Sequence, residues 1–210
     1  MIRYEQTGTT GRASDAMDEA GFMILDAREH GSKYGGPSFA LRQRLLRAGW
    51  NVVWFALASW TPPPFHRWRI LLLRLFGAKV DWSASVYGSA RIWYPPNLVM
   101  ERHACLGPRA NCYAMAPVRI AEGAVVSQGA HLCAGTHDID DPDFQLVARP
   151  IVIAAGAWVA AEAFVGPGVT VGTGAVLGAR AVAFRDLAPH TVYIGNPAAA
   201  VRSRTAAGAE

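Results

Sequence analysis

From residue 80 onward the chain counts in sixes. Apolar residues recur at Val80, Val86 and Ile92, at Met100, Leu106 and Cys112, at Ile120, Val126 and Leu132, and again at Ile153, Val159, Val165, Val171, Leu177 and Ala183. The fourth residue after most of these is alanine, as at Ala84, Ala90, Ala104, Ala110, Ala157 and Ala163. Glycine often follows the aliphatic residue directly, as at Gly107, Gly166, Gly172 and Gly178. A helix repeats at about 3.6 residues and a strand at about 2, so neither explains this period. Six-residue self-similarity belongs to solenoids of short parallel strands, in which each hexapeptide forms one flat side of a coil. The aliphatic residue then points to the axis and stacks on its equivalent in the next coil. The small residue fits where the backbone turns the corner. Three sides close a coil in about eighteen residues, so 80–188 predicts a prism of about five coils. The longer steps at 92–100 and 112–120 read as small corner loops. One interruption is far larger: after Leu132 the count is lost over "CAGTHDIDDPDFQLVARPIV" and returns at Ile153, which predicts a loop projecting over 133–152.

The residues before 78 lack this count. Residues 1–37, with the short apolar island "FMIL" (22–25), read as an arm that frays unless it docks on a neighbour. Residues 38–77 read as a helical hairpin. Ser38 stands in an N-cap position, the helical stretch runs to Pro62-Pro63-Pro64, and "FHRWRILLLRLFG" supplies a second helix ending at Gly77. The apolar stretch from Val52 to Trp60 falls well short of the roughly 20 residues that span a bilayer. Two readings stand for this hairpin. It packs on its own domain or on another subunit, or it lies in a membrane interface, a role suited to Arg42, Arg44, Arg47, Arg67, Arg69 and Arg74 beside Trp- and Leu-rich surfaces. Residues 189–210 form a C-terminal extension.

Composition narrows the function more than the fold. A chain of 210 residues that is 51% apolar and 17% charged is an ordered domain with, at most, a small appendage. The formal charge of +4 suits an anionic ligand or membrane, but the arginines are scattered and no nucleic-acid motif accompanies them, so nucleic acid is not an expected partner. Cys105, Cys112 and Cys133 make no CxxC pair, and the first twenty residues show no secretory h-region. The expectation is a cytoplasmic protein with reduced thiols, in peripheral contact with the inner face of a membrane if 38–76 is interfacial.

"VGPGVTVGTGAVLGARAV" (165–182) resembles the hexapeptide-repeat acyltransferases, whose fold is a left-handed parallel β-helix. The order "RIWYPPNLVM", "HACLGPRANCY", "VVSQGAHLCAGTHD", "DPDFQLVARPIVI", "LAPHTVYIGNPA", together with "LLRLFGAKV" before it, is similar to the colanic acid biosynthesis acetyltransferases, relatives of the maltose and galactoside O-acetyltransferases. The resemblance covers roughly 38–204. It implies an all-β fold with an N-terminal helical segment, a homotrimer, and acetyl-CoA as co-substrate in the groove between two subunits. It also implies transfer of the acetyl group to a saccharide hydroxyl, in exopolysaccharide or lipid-linked glycan assembly.

His137, in "GTHD", matches the family's general base. A sugar hydroxyl is a poor nucleophile until a base takes its proton, and an imidazole with a pKa near 6.5 is suited to that task. No nucleophile-elbow context surrounds a Ser or Cys, which favours direct transfer over an acyl-enzyme. Asp138, Asp140 and Asp141 either orient His137 or contact the acceptor, or they form the turn before Pro142. Trp158 matches a tryptophan of the CoA channel or is an ordinary corner aromatic. Ala160 and Gly178 are small either for the pantetheine arm or for the coil. Asn196 and Pro197 belong to a C-terminal "GNPA" element that meets the adenosine end of the cofactor in the relatives. Ala199 stands where a Lys or Arg is common, leaving Arg180 and Arg202 to supply the charge. Gly107 stands where the relatives place an acceptor-contacting Asn, with Asn111 or Tyr113 as compensation. No metal is expected. A γ-class carbonic anhydrase shares the solenoid, but His131 and His137, six apart, fall at equivalent positions on successive sides. A non-catalytic β-helical assembly subunit is the remaining alternative.

Overall fold

The computed structural model describes residues 39–205, and the arm and Ser38 lie outside them. Two helices, α1 (Leu41–Leu57) and α2 (His66–Leu75), are joined through a 3₁₀ turn at Pro63–Phe65. They lead into a prism with three parallel faces. The first face holds β1 (Lys79–Val80), β4 (Leu98–Met100), β7 (Val118–Ile120), β12 (Ile151–Ile153) and β15 (Thr170–Val171). The second holds β2 (Ser85–Val86), β5 (Cys105–Leu106), β8 (Val125–Val126), β13 (Trp158–Val159), β16 (Val176–Leu177) and β18 (Thr191–Ile194). The third holds β3 (Arg91–Ile92), β6 (Asn111–Tyr113), β9 (His131–Cys133), β14 (Phe164–Val165) and β17 (Val182–Ala183). A projecting hairpin of β10 (Gly135–His137) and β11 (Leu146–Ala148) stands apart, and β19 (Ala199–Ser203) runs antiparallel along β18.

Register is set by the sixfold positions. Val80, Met100, Ile120, Ile153 and Val171 stack on one face, and Ile92, Cys112, Leu132, Val165 and Ala183 on another. On the second face Val86, Leu106, Val126, Val159 and Leu177 stack and are continued by Tyr193. That face therefore counts six strands, one more level than the repeat alone predicts, because Thr191–Ile194 adds a side in a segment with no sixfold aliphatic signature. Apart from half-buried Tyr193, the inward residues and the corner alanines are buried throughout. Gly107 belongs to the same close packing: a Cβ there would lie 2.8 Å from the Val126 carbonyl oxygen in the next coil. No side chain fits at 107 on this backbone.

A coil is complete only with a neighbour on both sides. In the second coil the carbonyls of Met100, Leu106 and Cys112 accept from Asp81, Tyr87 and Trp93 in the first. The equivalent carbonyls of Val80, Val86 and Ile92 have no preceding coil. The helical hairpin supplies their donors. Arg74 Nη1 reaches Val80 O at 2.7 Å, Arg69 Nε reaches Val86 O at 2.6 Å beside His66 Nδ1 at 2.9 Å, and Trp50 Nε1 reaches Ile92 O at 2.7 Å. Trp54 Nε1 adds a bond to Ala90 O at 3.0 Å. Arg69 is fully buried and also donates to the carbonyls of Thr61, Pro62 and Pro63 and to Thr61 Oγ1. One guanidinium thus ties the turn between the helices to the open end of the prism.

Replacing that guanidinium by an apolar side chain of similar length removes the Nε donor to the buried Val86 carbonyl and unpairs the part-buried carbonyls of Thr61, Pro62 and Pro63, where a fully buried unpaired acceptor costs about 1–3 kcal/mol. Arg69→Met is expected to lower stability by about 3 kcal/mol or more, read as a lower urea midpoint at unchanged slope. An unchanged midpoint would remove the capping role.

Candidate functional site

The prism opens once, between the third face and the first. The chain leaves at Ala134 and is pinned on its return by Arg149 N–H to Ala134 O at 2.9 Å. Between them β10 and β11 pair antiparallel, with His137 opposite Leu146. Close packing fixes the root: a Cβ on Gly135 would lie 2.4 Å from Met115 Sδ. Met115 is held in turn by buried Asn97, whose Nδ2 donates to the carbonyls of Ala114 and Met115 at 3.1 and 3.0 Å.

The aspartates build the far end. Asp138 Oδ1 accepts from Asp140 N–H at 3.1 Å and Asp141 Oδ1 from Asp143 N–H at 2.7 Å, turns in which a side chain satisfies the amide two residues on. Asp138 N–H donates to Gln145 O, and Phe144 N–H to Asp141 O, both at 2.9 Å. This folding puts Phe144 at φ 52° and returns it against His137. The two rings stack at 4.4 Å between centroids, 11° from parallel, and His137 Nδ1 lies 2.9 Å from the Phe144 carbonyl. A carbonyl only accepts, so Nδ1 carries the proton in that bond. In the neutral ring Nε2 is then the free base, on an exposed side chain.

Along the third face, leading up to the hairpin, Arg91, Asn111, His131 and Phe164 occupy successive rungs. Asn111 Nδ2 lies 3.2 Å from His131 Nε2, and His131 meets the edge of Phe164 at 5.3 Å. Burial pulls the His131 imidazole below its ordinary pKa, which favours the neutral ring. Tyr113 packs edge-on against Trp93 at 5.4 Å. Asn111 and Tyr113 therefore share a polar and aromatic wall with His131 and Trp93.

The remaining sequence-derived residues gather elsewhere. Trp158 lies outward on the second face, 45% exposed, with Nε1 donating to Ser127 Oγ at 2.8 Å. Ala160 is buried, its N–H bonded to Leu177 O at 2.9 Å. Gly178 is tight against the next strand, where a Cβ would lie 2.9 Å from Ile194 Cγ2 and 3.0 Å from Tyr193 O, so the coil itself demands glycine there. Arg180 is exposed and paired with Glu162 at 2.6 Å. Asn196 and Pro197 sit in the turn between β18 and β19, and Arg202 on β19 opposite Val192. All seven belong to the second face or its corner with the third. His137 stands off the corner opposite the second face. One chain therefore does not bring these two groups together.

Sequence reasoning missed Phe144 and Asn97 and weighed His131 only as a metal ligand. Phe144 had a signal in "DDPDF", a turn that returns an aromatic toward the histidine. Asn97 follows two prolines in the first corner loop. Arg204 was missed too; its Nη1 joins the carbonyls of Gly156 and Gly174 at 3.0 Å and anchors the C-terminal strand. Burial pushes the Cys112 thiol up to about 12 and raises Cys105 and Cys133, the last of which donates to Gly135 O at 3.2 Å. Among the described residues no three His, Cys, Asp or Glu side chains converge as metal ligands.

No protein-family model matches the chain. Among curated proteins it is 40% identical over 155 residues to "Putative colanic acid biosynthesis acetyltransferase WcaF" of Escherichia coli K12, covering 74% of this chain and 85% of that protein, and equally to the same-named protein of Shigella flexneri. Among solved structures it is similar to a hexapeptide-repeat acetyltransferase of Vibrio cholerae complexed with acetyl-CoA, at TM-score 0.72 and 20% identity, covering 87% of this chain and 96% of that one. A maltose O-acetyltransferase of Clostridium difficile superposes at TM-score 0.70 and 20% identity, with 79% and 90% covered. The structural likenesses establish the solenoid, and the 40% identity across most of both chains establishes kinship: the chain belongs to the WcaF-type hexapeptide-repeat acetyltransferases.

Proposed function

We propose that the protein transfers acetyl from acetyl-CoA to a hydroxyl of a saccharide, with His137 as general base. The observation that carries this reading is the fixed tautomer of His137. Its Nδ1–H is committed to the Phe144 carbonyl and its ring to the Phe144 face, so Nε2 is presented outward, unprotonated in the neutral ring. The hydroxyl gives its proton to Nε2 as its oxygen attacks the thioester carbonyl. The tetrahedral intermediate collapses with rupture of the C–S bond, and the proton passes from Nε2 to the leaving thiolate. Protonated, half-buried thiols at Cys105 and Cys133 speak for direct transfer rather than an acyl-enzyme. Backbone N–H groups are the oxyanion donors in this scheme.

The cofactor residues and His137 lie on opposite sides of the prism, so the complete site takes one set from each of two copies, and a homotrimer closes three such seams. Trp158 offers a ring for the pantetheine and adenine to lie on. Asn196 and Pro197 border the adenosine end, where Arg180 and Arg202 are the available cations. The Arg180–Glu162 pair is fully solvated and holds its partner weakly, so a phosphate displaces it at little cost. Asn111, Tyr113 and His131 form the acceptor wall. Asp138 acts through the turn that returns Phe144 to His137. The acceptor belongs to exopolysaccharide or lipid-linked glycan assembly.

His137→Ala is expected to lower kcat by about 10²–10⁴ while light scattering still shows the mass of three chains. Near-wild-type release of CoA thiol in that variant would sink the assignment, and a wild-type chain that neither binds acetyl-CoA nor turns over any glycoside would be a structural subunit instead. Asn111→Ala should raise the acceptor KM by about tenfold and leave the KM for acetyl-CoA alone, whereas equal changes in both would remove Asn111 from the acceptor wall. Because the His131 pKa lies below its ordinary 6.5 in the folded chain, unfolding takes up a proton as pH falls through that value. Stability should therefore decline below about pH 6.5, and His131→Gln should flatten that decline; parallel Tm-versus-pH curves for both proteins would contradict it.

A further inference from the structure

Between residues 39 and 77 the chain carries six arginines, one histidine and no aspartate or glutamate. Three of the cations are committed to the fold: Arg69 and Arg74 cap first-coil carbonyls, and Arg47 lies 4.2 Å over the Trp93 ring. Arg42, Arg44 and Arg67 are exposed. The helix α1 turns Trp50, Trp54 and Ala58 onto the prism. Away from them Leu41, Leu45, Val52 and Phe55 are 65%, 63%, 68% and 78% exposed. Helical spacing places these four on one stripe, with Arg42 on one flank and Arg44 on the other.

Exposed apolar side chains follow the end of α1 as well. Trp60 is 70% exposed and Phe65 50%, and Trp68, Leu71 and Leu75 are also open to solvent. Both exposed indoles have their N–H satisfied by the chain, Trp60 to Ala56 O at 2.7 Å and Trp68 to Leu57 O at 2.8 Å. Their rings can therefore enter an apolar phase with no unpaired donor. Apolar positions of this number, on a segment whose exposed charges are all cationic, call for a partner that is apolar within and anionic outside. An equivalent hairpin from a second copy would set arginine against arginine, which is repulsive. A bilayer with anionic headgroups meets both requirements. The helices are too short and too polar to cross it: among the described residues none is long and apolar enough.

We infer that the outer face of the helical hairpin docks in the interface of an anionic phospholipid bilayer. The helices lie in the plane of the membrane, with Leu45, Val52, Phe55 and Trp60 among the acyl chains and Arg42, Arg44 and Arg67 at the phosphates. The inference rests on the hairpin and not on the chemistry at His137.

The test is flotation of the full chain with vesicles of phosphatidylcholine alone or mixed equally with phosphatidylglycerol. Binding is expected on the mixed vesicles, at least about tenfold weaker on the neutral ones, and weakened by salt. Two paired substitutions, R42Q with R44Q and L45Q with V52Q, should each weaken binding by about tenfold or more. Neither pair should change the mass by light scattering or the turnover of a soluble acceptor. Failure of the wild-type chain to float, equal binding to both vesicles, or binding untouched by either pair overturns the proposal. So does loss of binding together with a changed mass, since the stripe then joins copies of the chain. Absence of acetyl transfer by the wild-type chain would count against His137 and leave the membrane result standing.

Discussion

Each backbone group on a solenoid wall points along the axis, so one coil is satisfied only when another lies against it. The rest of the molecule follows from that condition. Coils must keep register, which is why Met100, Ile120 and Ile153 stack although thirty-three residues separate the last two and only twenty the first. Extra chain can leave only at a corner and must return in step. The first coil, with nothing before it, needs donors of another kind. Arginine and tryptophan suit that task because their N–H groups sit at the end of long side chains. Arg74, Arg69 and Trp50 reach three carbonyls that no backbone amide approaches. The odd composition of 38–77 is thus first a matter of closing an open end.

The same condition confines chemistry to the corners. A wall residue alternates between the axis and the outside and is held there by the coils above and below. Only a segment released from the ladder can carry a side chain clear of the surface, and the longest such break within the coils is the one that holds β10 and β11. Releasing it removes its backbone partners, so β10 and β11 pair with each other and the aspartates satisfy the turn between them. The payoff is positional: the turn delivers the carbonyl and ring of Phe144 to His137. The imidazole is oriented by main chain and an aromatic face.

How much of this was legible in the sequence depended on whether the signal was periodic. The three faces, their register and the place of the projecting segment all follow from the sixes. The sixth strand of the second face did not, because Thr191–Ile194 presents Tyr193 inward where the repeat calls for an aliphatic residue. The capping roles of Trp50, Arg69 and Arg74 were invisible for a different reason. Each is a contact between a helix and a carbonyl, and a carbonyl leaves no mark in the sequence. Composition alone allowed both a packed and an interfacial hairpin. The structure shows that its two sides differ, one locked to the prism by Trp50 and Trp54 and the other lined by Leu45, Val52 and Phe55. Gly178 carries a further lesson. Its smallness was read as serving either a cofactor or the coil, and the closeness of Tyr193 and Ile194 gives the coil a sufficient reason for it.

The separation of His137 from Trp158 then becomes informative. In a triangular prism, a corner and its opposite face look in opposing directions, and no motion of an eight-residue turn carries the histidine across the body of the coils. A second copy placed beside the first removes the difficulty, because the corner of one faces a wall of the other. In the proposed homotrimer threefold closure would do this for every chain at once, each copy giving the proposed base to one seam and the proposed cofactor wall to the next. In that proposal, the rigidity that keeps His137 and Trp158 apart in one chain is what would hold the two halves in fixed geometry once the copies meet.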